Sequence, residues 1–138
     1  MSDCIFCGIG AKEIRAEKIY EDNDAIAVLD VHPRAPGHAI VITKAHRETI
    51  LDVPENELKP LFSAVKNVVS ILSKSLKPDG FTIGINHGKA GGQAVNHLHI
   101  HVIPRFINDN GGSIHSVVDN KSSETVQETA ARIRKTTN

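Results

Sequence analysis

The spacing of apolar residues changes character along the chain, and each change marks an element. From about Glu57 to Leu76, the residues Leu58, Leu61, Phe62, Val65, Val68, Val69, Leu72 and Leu76 recur at i, i+3 and i+4, the stripe of a helix with one buried face. Pro60 sets the regular start near Glu57, where a missing N–H costs nothing, or a kinked start at Pro54. Lys77-Pro78-Asp79-Gly80 ends the helix. Elsewhere the period is two. Residues 18–21 and 25–30 are short β-like runs parted by Asp22-Asn23-Asp24, whose side chains favour turns, so they predict a hairpin. Residues 38–43, centred on Ile40, Val41 and Ile42, are apolar enough for the interior of a sheet. Phe81, Ile83 and Ile85 alternate in a further strand that ends at Asn86. His32-Pro33-Arg34-Ala35-Pro36-Gly37 is a loop, because neither proline can donate to a ladder. Residues 4–9 predict one or two helical turns, and residues 123–135 a last amphipathic helix with Val126, Ala130 and Ile133 on one face.

The sharpest pattern is His97-Leu98-His99-Ile100-His101-Val102. A strand sends successive side chains to opposite faces, which puts three imidazoles in one row and Leu98, Ile100 and Val102 on the core side. With no βαβ rhythm, the sum is an α+β fold: a five-stranded antiparallel sheet with one long helix and short terminal helices. The 138 residues read as one domain, 1–138, whose residues 107–138 form a polar extension with a helix.

Sixteen basic and sixteen acidic side chains cancel, which leaves no basic field for a nucleic-acid backbone. Asp3, Lys12, Glu13, Arg15, Glu17 and Lys18 interrupt any apolar leader, and no later stretch is long enough to cross a bilayer. The expectation is a cytoplasmic protein with neither nucleic acid nor membrane as partner.

Imidazole titrates near neutral pH, with a reference pKa of ~6.5. Three on one face can be a satisfied polar face, a three-histidine metal site with the open position of catalytic zinc, or metal-free catalytic groups. The glycine-rich stretch 86–93 runs straight into them, and glycines let backbone approach a ligand and aim N–H groups at phosphate. Asn86 and Gln93 add amide donors at its ends, which suggests a phosphate seat beside a nucleophile. The two cysteines, Cys4 and Cys7, are spaced for packed thiols, a redox pair or a metal. His32, His87 and His115 fall in loops and read as solvated, and Lys44 and Arg105 as surface charges.

The run from Gly92-Gln93 through the three alternating histidines to Ile103-Pro104-Arg105, with Asp30, Pro36-Gly37-His38, Lys44-Ala45-His46 and Asn86-x-Gly88 upstream, resembles the histidine-triad (HIT) nucleotide hydrolases, Hint-type and microbial branches, over about residues 4–106. The resemblance implies cleavage at the α-phosphate of purine nucleoside phosphoramidates, acyl-nucleotides or dinucleoside polyphosphates. His99 would be the nucleophile, His101 the contact to phosphate and leaving group, and His97 the third triad member. Asn86, Gly92, Gln93 and Ala94 would hold the phosphate and leaving group, and Asp30 the ribose. Ile5, Phe6, Ile9, Val28, Val31 and His38 would line the base pocket. Some microbial relatives bind structural zinc through positions matching Cys4, Cys7, His46 and His97, a Cys₂His₂ set that no chemical step requires. A homodimer with a shared sheet is also implied. Ala94 departs from the Hint-type serine, which puts the preferred leaving group in doubt and keeps a nucleotide-binding or scaffold protein with weak activity as the rival, beside a zinc hydrolase using all three histidines.

Overall fold

Five strands, β1 (Lys18–Glu21), β2 (Ala25–Leu29), β3 (Ala39–Thr43), β4 (Gly80–Gly84) and β5 (His99–Arg105), pair antiparallel in the order β1-β2-β3-β5-β4. Three helices, α1 (Ile5–Gly10), α2 (Glu55–Leu76) and α3 (Val126–Arg134), complete the chain in this computed structural model, which describes residues 3–137. The α+β class and five-stranded antiparallel sheet are those the sequence predicts.

The sheet is buried on both faces at its centre, which is why β2 and β3 are continuous apolar runs without polar alternation. On one face Ala25, Ala27, Ala39, Val41, Leu98, Ile100 and Val102 meet Leu61, Ala64, Val65, Val68 and Leu72 of α2. The alanines let the helix axis come close. On the other face Ile26, Val28, Ile40 and Ile42 pack with Phe6 of α1. The expected division holds: Leu98, Ile100 and Val102 are core.

Strand β4 ends at Gly84, short of the expected Asn86, and the starts of α2 and of the histidine strand have local reasons. Of the two expected starts, helix α2 takes the one at Pro54, which is its N-cap, and runs from Glu55 with Pro60 inside it. Pro60 removes a single bond in the second turn, and the Glu57 N–H is satisfied by the Pro54 carbonyl at 2.9 Å. The histidine strand starts at His99, two residues later than the pattern suggested, and runs to Arg105. Leu98 N–H bonds the Arg47 carbonyl at 2.6 Å instead of joining the ladder, because His97 is drawn aside toward the N-terminal cysteines. In the ladder His99 faces Ile42 and His101 faces Ile40.

Arg105 is not the loose surface charge it resembled in sequence. Its guanidinium makes a two-pronged bond to Asp109 at 2.7 and 3.0 Å and reaches Thr82 Oγ1 and the Gly112 carbonyl. Asp109 also accepts the Phe106 and Gly111 N–H groups, and Arg105 beside it holds its carboxyl far below the usual range. This knot fixes the direction in which the chain leaves β5. Helix α3 then begins at Val126, later than the expected residue 123, because Thr125 and Glu128 form a reciprocal capping box there.

The turn before β3 depends on Gly37, whose φ is 83°. A Cβ at this position would collide with Leu76 and sit 3.3 Å from Pro104. Gly37→Ala should therefore lower stability by about 1–3 kcal/mol, read as an earlier urea midpoint; an unchanged midpoint would contradict this turn geometry.

Candidate active site and metal centre

The histidine row divides into two chemistries at its first member. His99 is buried, and its Nδ1 lies 2.7 Å from the His97 carbonyl. A carbonyl can only accept, so in the neutral ring Nδ1 carries the proton and Nε2 keeps its lone pair. Phe6 packs edge-on against this ring at 5.0 Å, which limits its rotation.

The neighbouring ring is held the other way. The Arg34 N–H donates to His38 Nδ1 at 3.0 Å, so His38 carries its proton on Nε2. That nitrogen is 2.9 Å from His101 Nδ1. His101 Nδ1 therefore accepts, and the His101 proton sits on Nε2. His99 and His101, with ring centroids 5.1 Å apart, thus present a lone pair and an N–H side by side. Burial pushes the His38 and His101 pKa values down, with Asp30 opposing the shift, so both rings stay neutral around pH 7.

Asp30, His38 and His101 also have the composition of a two-histidine, one-carboxylate metal site, with one donor atom of each within 4.8 Å of the others. The Asp30 oxygen is 3.5 Å from His38 and 3.8 Å from His101. The Arg34 amide argues against a metal there, since a proton on His38 Nε2 leaves no lone pair for one.

His97 belongs to a different cluster. Its Nε2 donates to the Thr43 carbonyl at 2.7 Å, which turns an unprotonated Nδ1 toward Cys4 Sγ at 3.3 Å and Cys7 Sγ at 3.5 Å. Cys7 Sγ is 3.3 Å from His46 Nδ1, and all four ligand atoms lie within 4.8 Å of one another. Zn–S and Zn–N bonds of ~2.3 and ~2.05 Å in a tetrahedron put sulfur and nitrogen about 3.5 Å apart. The donor set therefore fits zinc in both chemistry and spacing. Cys4 caps α1 and accepts the Cys7 N–H on its sulfur, so the short helix itself sets the cysteine spacing. Thr43, which no motif singled out, fixes the His97 tautomer.

Other expected residues sit differently. Gln93 spends its amide inside the loop: its oxygen accepts the Gly88 N–H at 2.9 Å and its nitrogen donates to Glu48 and Val95 carbonyls at 2.7 and 3.0 Å. The Gly91, Gly92 and Gln93 N–H groups are spent there too. Gly92 and Gln93 thus brace the loop instead of presenting free donors, while Asn86 lies beside Gly92 with its side chain at the surface. His38, expected on a base pocket wall, is buried beneath His101. The remaining pocket residues separate: Ile9 and Val28 share a concavity with Ile14, Ala16 and Ile26, Ile5 lines another with Cys4, His46 and Ala94, and Val31 projects from the surface beside Asp30.

Comparison with known proteins identifies the family and the fold. The HIT domain model matches residues 11–108, and the chain belongs to the HIT family. A HIT-like protein of Methanocaldococcus jannaschii is 44% identical over 106 residues, 77% of this chain and 81% of that one. An adenylylsulfatase of Arabidopsis thaliana is 36% identical over 104 residues, 75% of this chain and 53% of the relative. Among solved structures, a Streptococcus mutans protein superposes with a TM-score of 0.84 at 32% identity, covering 99% of this chain and 83% of its own. A HIT family hydrolase from Legionella pneumophila gives 0.66 at 32% identity, covering 73% and 91%. The fold is that of HIT hydrolases and nucleotide-binding proteins. No helix among the described residues is long and apolar enough to cross a membrane.

The tautomers can be read directly. Two-bond ¹H–¹⁵N spectra at pH 7.5 should show His99 protonated on Nδ1 and His38 and His101 on Nε2. On acidification His38 and His101 should titrate below ~6.5. Because the folded state then binds fewer protons than the unfolded chain, they withdraw stability as pH falls below that value. His101 found protonated on Nδ1 at pH 7.5 would overturn the arrangement.

Proposed function

We propose that this protein is a nucleotide hydrolase that cleaves at the α-phosphorus of purine nucleoside phosphoramidates, acyl-nucleotides or dinucleoside polyphosphates through a nucleotidyl-His99 intermediate. The observation that carries the reading is the pair of opposite tautomers: a nucleophilic lone pair on His99 next to a hydrogen-bond donor on His101.

In the first step His99 Nε2 forms a bond to phosphorus, and the bond to the leaving group breaks, its electron pair departing with that group. The His101 Nε2–H stabilises the charge that develops there, and a solvent proton completes the leaving group where its basicity demands one. His99 keeps its Nδ1 proton on the His97 carbonyl, so the phosphorylated ring is cationic and a good leaving group in turn. Water then attacks phosphorus, the P–N bond returns its electrons to Nε2, and the water proton goes to solvent. Asn86 is the side-chain donor we assign to the phosphate oxygens, and Ile9 and Val28 offer apolar surface for a purine. Similarity to an adenylylsulfatase supports a nucleotidyl substrate.

A nucleotide-binding protein with weak turnover is the second reading, favoured by Ala94, which offers no hydroxyl where Hint-type relatives have one. The three-histidine zinc hydrolase loses support, because His97 points at the cysteines and His101 has its proton on Nε2. We further propose that Cys4, Cys7, His46 and His97 hold structural zinc, outside the chemical step, in a reducing cytoplasm where thiolates persist.

After rapid acid-free quenching with an adenosine phosphoramidate, the intact mass of the protein should rise by one AMP, and His99→Ala should show neither adduct nor turnover. Equal turnover by His99→Ala would remove the hydrolase reading. Metal analysis should find zinc in the purified protein, and its chelation should lower the melting temperature, since the binding free energy of structural zinc, ~10–16 kcal/mol in small peptides, is comparable to the ~5–15 kcal/mol stability of a domain. Unchanged melting after verified zinc removal would contradict the structural role.

A further inference from the structure

The concavity assigned above to a purine has a rim that can tell one purine from another. Ile9, Ile14 and Val28 supply its apolar wall, and Lys12, Glu13 and Arg15 stand around it. Elsewhere the charges of this chain are spent on one another: Arg47, Arg105 and Arg132 each hold a carboxylate, and Lys18, at the same rim, is held by Glu21. Among the described residues, no ion pair or side-chain hydrogen bond involves Lys12, Glu13 or Arg15. An open guanidinium and an open carboxylate two positions apart thus border one apolar surface.

The segment that carries them is fixed at both ends. The Glu13 and Ile14 N–H groups donate to the Gly8 carbonyl at 2.9 and 3.1 Å, and the Glu17 carbonyl accepts the Leu29 N–H at 2.9 Å. Ile14 lies on the bare backbone of Gly8, where a Cβ would come within 2.6 Å of it, and Ala16 packs with Phe6, Ile26 and Val28. With residues 14 and 16 turned inward, Glu13 and Arg15 are exposed on the outer side of a braced segment. The concavity is also continuous with the histidine row. Val28 faces Ile40 and Ile40 faces His101 across the sheet, as Ile26 faces Ile42 and Ile42 faces His99. Residues directly opposite share a face, so the apolar wall stands two strand spacings, about 10 Å, from the two imidazoles. Phe6, edge-on to His99 at 5.0 Å, fills the interval.

We propose that Glu13 and Arg15 select guanine as the base of the substrate. The inference rests on the nucleotide hydrolase reading and names the base that site prefers. Guanine presents O6 and N7 as acceptors and its N1–H and 2-amino group as donors. A carboxylate only accepts and a guanidinium only donates, so Glu13 matches N1–H and the 2-amino group while Arg15 matches O6 and N7. Adenine reverses the pattern: its 6-amino group meets the guanidinium donor to donor, and its N1 lone pair meets the carboxylate acceptor to acceptor. Hypoxanthine keeps O6 and N1–H but has no 2-amino group, and stands between them. Lys12 adds to the bias, since an ammonium also only donates. The apolar wall packs against all three bases alike, so discrimination falls to the rim, and it sets this chain apart from the adenylylsulfatase relative.

The test titrates the full chain with GMP, IMP and AMP by calorimetry, which needs no turnover, and then compares kcat/KM for guanosine and adenosine 5′-phosphoramidates. The expected order of affinity is GMP, IMP, AMP, with about tenfold between the first and last, toward the low end of what a matched donor and acceptor edge supplies. The Glu13→Ala, Arg15→Ala double variant should bring the ratio of GMP to AMP affinity to within about twofold, and Glu13→Ala alone should abolish the difference between GMP and IMP. Both positions are exposed, so the variants fold; a merely loosened concavity would weaken all three nucleotides alike and leave the ratios unchanged. Equal affinity of the parent for GMP and AMP, or a double variant with the ratio of the parent, would overturn the selection of guanine while leaving the hydrolase reading intact. Failure to bind any of the three nucleotides, with no turnover of either phosphoramidate, would overturn the inference together with the reading on which it rests.

Discussion

One hydrogen bond, from the His99 ring to the carbonyl of His97, joins the two halves of the site. It is made by the backbone of a residue whose side chain belongs to the Cys4–Cys7–His46 cluster, so whatever fixes His97 also fixes the ring proposed to attack phosphorus. His97 is in turn fixed by Thr43, the last residue of β3. The register of β3 on β5, which sets His99 opposite Ile42 and His101 opposite Ile40, thereby reaches both the metal-ligand set and the proposed nucleophile. The sheet, the candidate metal ligands and the histidine row are thus tied together by hydrogen bonds, an arrangement that would position His99 for the proposed attack.

The same logic accounts for how a chain with no net charge would serve the anionic substrates proposed for it. Two backbone groups, the His97 carbonyl and the Arg34 amide, sort neutral imidazoles into opposite tautomers. The site then supplies a lone pair and a donor at fixed points without a cation that would need its own counter-charge. Asp30 sits 3.5 Å from His38 and faces any positive charge that gathers on the His38–His101 pair, although burial keeps that pair neutral at rest.

Much of this was legible in residue order, and what was not has a common cause. The i, i+3, i+4 stripe of α2 and the alternation of His99, Ile100, His101 and Val102 are local, so their periods name both the element and its buried face. The Cys-x-x-Cys spacing is likewise local to one turn of α1. The roles of His38 and Gln93 are not local. His38 is defined by a ring 63 positions away, and Gln93 by a carbonyl 45 positions back. In both cases residue type correctly announced a hydrogen-bonding group but could not say whether its capacity was already spent. Arg105 shows the same limit: a lone cation beside a strand end reads as solvated until Asp109 folds back onto it.

Burying three imidazoles would normally be costly, since an unpaired buried polar group costs roughly 1–3 kcal/mol. His38, His97 and His99 are nonetheless buried, and among the described residues no buried side-chain nitrogen or oxygen lacks a partner. The bonds that offset desolvation are the ones that select the tautomers, so stability and chemistry cannot be tuned apart here. A substitution that frees the carbonyl of buried His97 would leave an unsatisfied group beside Phe6, and one that frees the Arg34 amide would scramble the proton positions of the His38–His101 pair. The two costs point the same way, so the fold itself enforces the arrangement that the proposed nucleophilic attack by His99 would require.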